Sequence, residues 1–209
     1  MRSSLANLDW RAWREQHTRL FRVIVVLKKL RTKVGLAVVA WCLVEGLLSH
    51  EVPLDLLRPD LGVVAGLLLI GIGVALRLAA YGNLRKKDAL ATTGVYSLCR
   101  HPLYLGSILL TYGFCLVLDD AENYVFATAY FLVFYPLTII WEEARLAERY
   151  GPAHEAYRRE TPLLIPRGRF CAGSFGWVRA LRVGGITLLL VTALLLVGVE
   201  VMAKMMHVY

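Results

Sequence analysis

The sequence predicts an all-α fold, a multi-pass membrane helix bundle of about five transmembrane helices behind an N-terminal amphipathic interfacial helix. Three observations predict it. Of 209 residues, 57% are hydrophobic and 19% charged, and the mean hydropathy is +0.54, above the ~45–50% apolar content of soluble domains. The excess lies in five blocks, 34–50, 61–81, 103–118, 123–141 and 183–203, each near the ~20 residues that cross a bilayer as a helix. The Lys and Arg residues sort by side: nine in 2–33, four in 82–102 and eight in 142–182, against Arg58 and Lys204 in the intervening loop and tail. That is the positive-inside pattern. It places the N-terminus and basic loops in the cytosol and the C-terminus outside, and it assigns the +8 formal charge to an anionic leaflet rather than to nucleic acid.

Residues 1–33 form the first element. Trp10, Trp13, Leu20, Ile24 and Leu27 fall on one helical stripe broken by His17, with Arg11, Arg14, Arg19, Arg22 and Lys28 off it. This is a surface anchor, or a lid over a lipid-accessible site. Residues 34–209 form the membrane domain. The 34–50 window contains Glu45 and reads as a span or as a re-entrant segment. The 61–81 window holds Arg77 near its cytosolic end, with Tyr81 one turn on, and Gly71-Ile72-Gly73 for close packing. Pro102 suits the first turn of the third span. Pro136 sits inside the fourth and should kink it above Glu142 and Glu143. Gly151-Pro152 stops that helix. Cys42, Cys99, Cys115 and Cys171 form no paired or metal-ligand spacing, so neither a disulfide scaffold nor a metal site is expected. No cleavable signal and no internal repeat is read. His17, His50, His154 and His207 read as surface residues.

The polar mass lies in two cytosolic segments, 82–102 and 142–182. In the first, Arg100 and His101 flank a helix N-terminus at Pro102, where backbone donors and a partial positive charge favour a carboxylate or phosphate. Anchoring to lipid headgroups is the competing reading. In the second, Glu142 and Glu143 end an apolar helix, where charge is costly unless it meets water or a partner. Adjacent helical residues point about 100° apart, so at least one should face the bundle. The alternative is a solvated stripe in which Glu142 pairs with Arg145 or Arg149. Arg77 either snorkels or faces inward to hold an anionic substrate group or a glutamate.

Gly94-Val95-Tyr96 leading into Arg100-His101-Pro102-Leu103-Tyr104-Leu105-Gly106, and Glu142-Glu143-Ala144-Arg145-Leu146 leading through Tyr150-Gly151 to Tyr157 and Pro166, resemble the integral-membrane methyltransferases that include isoprenylcysteine carboxyl methyltransferases and phospholipid N-methyltransferases. The resemblance covers roughly Leu61 to Arg167. It implies S-adenosylmethionine as methyl donor in a cytosol-facing pocket, with Tyr96, Arg100, His101, Pro102, Tyr104, Glu143 and Tyr150 at the cofactor. It implies Glu142 and Glu143 facing the cofactor or the reacting centre, and a lipophilic acceptor bearing a carboxylate or an amine. On the chemistry of the residues, Arg77 is the further candidate at that centre, holding the second oxygen of a carboxylate acceptor. Tyr150 stands where Phe is usual, His154 where Tyr is usual, and Thr161-Pro162-Leu163 where Val-Pro-Arg is common. Two rival readings remain: a non-enzymatic scaffold or small transporter, and a membrane reductase using a nicotinamide cofactor.

Overall fold

The computed structural model describes residues 60–84 and 89–207, and parts of 15–41. The stripe residues Trp10, Trp13, Leu20 and Ile24, most of the 34–50 window and the loop that follows it lie outside the described residues. Those described between 15 and 41 are helical apart from a turn at His17.

Helix α1, Leu61–Asn83, starts where the Asp60 carboxylate accepts from the Val63 amide (2.7 Å), a side-chain N-cap. A loop with a 3-10 turn at Val95–Ser97 leads to α2, Pro102–Leu118, with Pro102 at its first position. Asp119 adopts the left-handed conformation (φ 48°) and Asp120 caps α3, Ala121–Tyr150, by accepting from the Glu122 amide. A carboxamide or carboxylate side chain tolerates that conformation better than most, so two residues reverse the chain. Gly151 (φ 50°) ends α3, and Pro152 opens α4, Pro152–Glu160. After an extended stretch, Trp177–Ala180 (α5) leads through a kink at Leu181–Gly185, where Gly184 leaves helical geometry, into α6, Ile186–His207. Among the described residues there is no strand, only one isolated bridge between Gly94 and Cys171.

Three of these helical stretches, Leu61–Asn83, Ala121–Tyr150 and Trp177–Val201, are long and apolar enough to cross a membrane. Helix α2 is apolar but shorter, 17 residues. The last helical stretch begins earlier than the expected 183–203 window because Trp177–Ala180 is already helical, and the chain kinks at Gly184 (φ 167°, ψ -1°) before α6. Pro136 lies within a helix that continues on both sides of it.

Lipid tails are as apolar as leucine, so transmembrane helices associate by close packing and polar contacts rather than by expelling water. Helices α1 and α2 do this with facing glycines one heptad apart. A Cβ on Gly66 would lie 2.7 Å from the Gly113 carbonyl oxygen, and one on Gly73 the same distance from that of Gly106. Val63, Ile70, Val117, Leu118, Val199 and Ala203 join α1, α2 and α6. A second cluster joins α2 to α3 through Cys115, Ala127, Phe131 and Tyr135. On α3 the buried positions 123, 127, 131, 135, 139 and 143 recur at steps of four. This stripe carries Glu143 into the bundle as its last member.

The stretch after α4 is tied backbone to backbone along the loop before α2. The Arg100 and His101 amides donate to the Pro162 and Leu163 carbonyls (2.9 and 3.1 Å). The Arg167 and Gly168 amides donate to Leu98, and that of Gly94 to Cys171. Gly168 allows this approach, since any side chain there would collide with the Ser97 carbonyl.

Candidate active site

The start of α2 and the end of α3 meet at the basic end of the bundle. There Glu143, 3% exposed, takes the Arg100 guanidinium on one oxygen and His101 Nε2 (2.9 Å) on the other. His154, with no exposed surface, lies behind them, its Nε2 3.8 Å from Glu143. Burial works against the charge of Arg100 and lowers its affinity for a proton, and Glu143 offsets part of that effect. A buried charge is tolerable when paired and hydrogen-bonded, and Arg100 with Glu143 meets that condition.

The alternative, a solvated stripe in which Glu142 pairs with Arg145 or Arg149, is not the arrangement that the contacts of Glu142 describe. Glu142 instead accepts from the Tyr104 hydroxyl (2.7 Å), while Arg145 lies over Trp141 and Arg149 over Tyr150. Both glutamates therefore turn toward the bundle, but differently. Glu143 is sealed in, whereas the Glu142 side chain keeps 41% of its surface and lines a cavity of about 580 Å³, in the range of small-molecule sites.

This cavity starts among Tyr96, Arg100, His101 and Glu142 and extends past Arg77 and Ser107 to Leu118 and Asn123 at the far end of α2. Its middle is apolar and aromatic, with Tyr104, Phe114, Phe131 and Tyr135 among its walls. Arg77 faces inward, correcting the snorkelling alternative. It donates to Ser107 Oγ and to the Tyr81 hydroxyl (2.7 Å), and its stem crosses Gly106, where a Cβ would stand 2.7 Å from the Arg77 Cγ.

Of the residues expected at a cofactor, Tyr96, Arg100, His101, Pro102 and Tyr104 line the cavity. Glu143 stands behind its wall, and Tyr150 lies at the end of α3 with Arg149 over its ring. The Tyr96 carbonyl accepts from the Tyr157 hydroxyl (2.6 Å). Burial pushes both phenols well above their ordinary range and the Cys99 thiol up to about 11, so these groups are neutral at physiological pH. Sequence reasoning missed His154 and Arg158, taking the former as a surface residue. His154, Tyr157, Arg158 and Thr161 are all buried and spaced as one helical face, a periodic signal obscured because its members are polar. Arg31, from the segment ahead of α1, also lines the cavity. Among the described residues, no group of three or more His, Cys, Asp or Glu is arranged to hold a metal ion.

Residues 61–153 match the family model described as phospholipid methyltransferase. The chain is 36% identical over 115 residues to the cobalt-zinc-cadmium resistance protein CzcN of Cupriavidus metallidurans, covering 54% of this chain and 52% of that protein. It is 32% identical over 116 residues to the nickel-cobalt-cadmium resistance protein NccN of Alcaligenes xylosoxydans, covering 52% and 54%. To the protein-S-isoprenylcysteine O-methyltransferase of Schizosaccharomyces pombe it is 36% identical over 83 residues, covering 39% and 35%. The chain thus spans about half the length of the first two relatives and about a third of the last. No solved structure matches it. The paired glutamates, Arg100, His101 and Tyr104 all fall inside the matched residues, and through that segment the chain is similar to the phospholipid methyltransferases and to an isoprenylcysteine O-methyltransferase.

Proposed function

We propose that the protein is an S-adenosylmethionine-dependent methyltransferase acting on a lipophilic acceptor at the cytosolic face of its membrane. The observation that carries this reading is a cavity that joins a charged end, at Glu142, Arg100 and His101, to an apolar stretch bounded by membrane helices. A water-soluble donor suits the first and a bilayer-soluble acceptor the second. The cytosolic orientation rests on the concentration of Lys and Arg in 142–182 and around 82–102.

The donor set fits a zwitterionic cofactor. The partly open Glu142 carboxylate and the faces of Tyr96 and Tyr104 suit an ammonium or sulfonium. The Arg100 Nε, buried and without a hydrogen-bond partner, suits a carboxylate. When bound, S-adenosylmethionine supplies an electrophilic methyl group. Glu143 holds Arg100 and His101 in place, as a positioning residue behind the cavity wall. The aromatic walls exclude water and align the acceptor, which is where most of the rate of such a reaction comes from. For a carboxylate acceptor no base is needed. An amine acceptor must lose a proton, and Glu142, exposed to the cavity, is the group placed to take it.

Incubating proteoliposomes with methyl-labelled donor and extracted lipids tests the reading. Label appearing in the organic-soluble fraction, and lost in Glu142→Gln by at least about a hundredfold, is the expected result. Label confined to water-soluble acceptors, or none at all with folded protein, would contradict it.

A further inference from the structure

Two guanidiniums line the cavity with no described carboxylate against either. Arg77 bonds to the neutral oxygens of Ser107 and Tyr81, and its Nε is buried without a hydrogen-bond partner. Arg31 comes from outside the family-matched residues. Its guanidinium carbon lies 5.7 Å from the centre of the Tyr104 ring, and its Nη1 is likewise buried and unpartnered. The backbone beneath it is held to α3, where the Tyr130 hydroxyl donates to the Arg31 carbonyl (3.3 Å) and packs 3.1 Å from the Cβ position of Gly35. Both guanidiniums line the same cavity, with Tyr135 among its walls, and they reach it from different elements. Arg100 differs from them because Glu143 already neutralises it.

Two partly buried cations facing a largely apolar cavity, each with a buried unpartnered nitrogen, make an arrangement that an anion relieves. We propose that Arg31 and Arg77 form the subsite for the anionic group of a lipophilic acceptor, a carboxylate or a phosphate, whose apolar part runs along the cavity toward Leu118 and Asn123. The proposal deepens the methyltransferase reading and rests on it. It also assigns part of acceptor selection to the segment before α1, beyond the residues that define the family.

Electron paramagnetic resonance in nanodiscs of zwitterionic lipid tests it, using doxyl-labelled stearate, its uncharged methyl ester and doxyl-labelled phosphatidic acid, at about pH 9, where the stearate carboxyl is ionised. Wild-type protein should immobilise at least one anionic probe about tenfold more than the ester. Preference for stearate marks a carboxylate acceptor, and preference for phosphatidic acid a phosphate-bearing one. Arg31→Gln and Arg77→Gln should each bring the anion down to the level of the ester without changing ester retention, and Arg31→Lys should restore part of the preference. No anion preference in wild type, or full preference in Arg31→Gln, overturns the subsite. Calorimetry with S-adenosylhomocysteine on the same samples separates the two claims: saturable binding with no anion preference rejects only the subsite, and anion preference without such binding rejects the enzyme reading.

Discussion

Glu142 and Glu143 are neighbours in sequence with opposite surroundings. Glu143 is enclosed by Arg100, His101 and His154, while Glu142 faces the cavity under the Tyr104 hydroxyl. Removing one partner of a buried ion pair strands the other and costs about 3–5 kcal/mol. Glu143→Ala should therefore lower stability by that amount, read as thermal unfolding in detergent. Glu142→Gln should leave stability within about 0.5 kcal/mol while removing function. Equal thermal shifts in the two variants would refute this division. Both glutamates were legible in the sequence because charge at the end of an apolar helix requires an explanation, Arg100 and His101 because they flank a helix start at Pro102, and Tyr104 through the motif it shares with them. Which glutamate is sealed was not legible. It depends on the four-residue stripe from Asn123 to Glu143 and on which residues pack behind it: His154 comes from the next helix, and Arg31 from a segment far ahead in sequence.

At the scale of elements, the contact between α1 and α2 is set by Gly66 against Gly113 and Gly73 against Gly106. These close crossings bring Arg77 beside Ser107 and so fix one wall of the cavity. A side chain at Gly73 meets backbone, which cannot give way as a flexible side-chain end can. Gly73→Leu should cost about 1–3 kcal/mol, measured by unfolding in detergent. Gly71→Leu, whose Cβ position has nothing within 4 Å, should cost less than about 0.5 kcal/mol. Equal effects at the two glycines would contradict the packing described. The helices themselves were readable from hydropathy blocks, Pro102 and the Gly151-Pro152 stop. The pairing of glycines was not, since Gly71 and Gly73 look alike until the partner helix is in place. The segment 161–176 was readable only as a loop, because what ties it down is backbone hydrogen bonding. Thr161-Pro162-Leu163 departs from the usual family residues, yet Pro162 and Leu163 contribute through their carbonyls, a role that does not depend on side-chain identity.

At the scale of the whole molecule, one cavity extends along α2, a helix of 17 residues or ~25 Å, from charged groups at its start to apolar ones at its end. Buried charge is costly in such a bundle. Its concentration at one end, in a segment matching a methyltransferase family, makes binding of the donor product the central quantity. The most direct measurement is calorimetric titration of the purified protein in lipid nanodiscs with S-adenosylhomocysteine, comparing wild type with Glu142→Gln. The account predicts saturable binding by wild type, weakened in the variant by at least about tenfold. Absence of binding by folded wild-type protein, or equal affinity in the two, would contradict it.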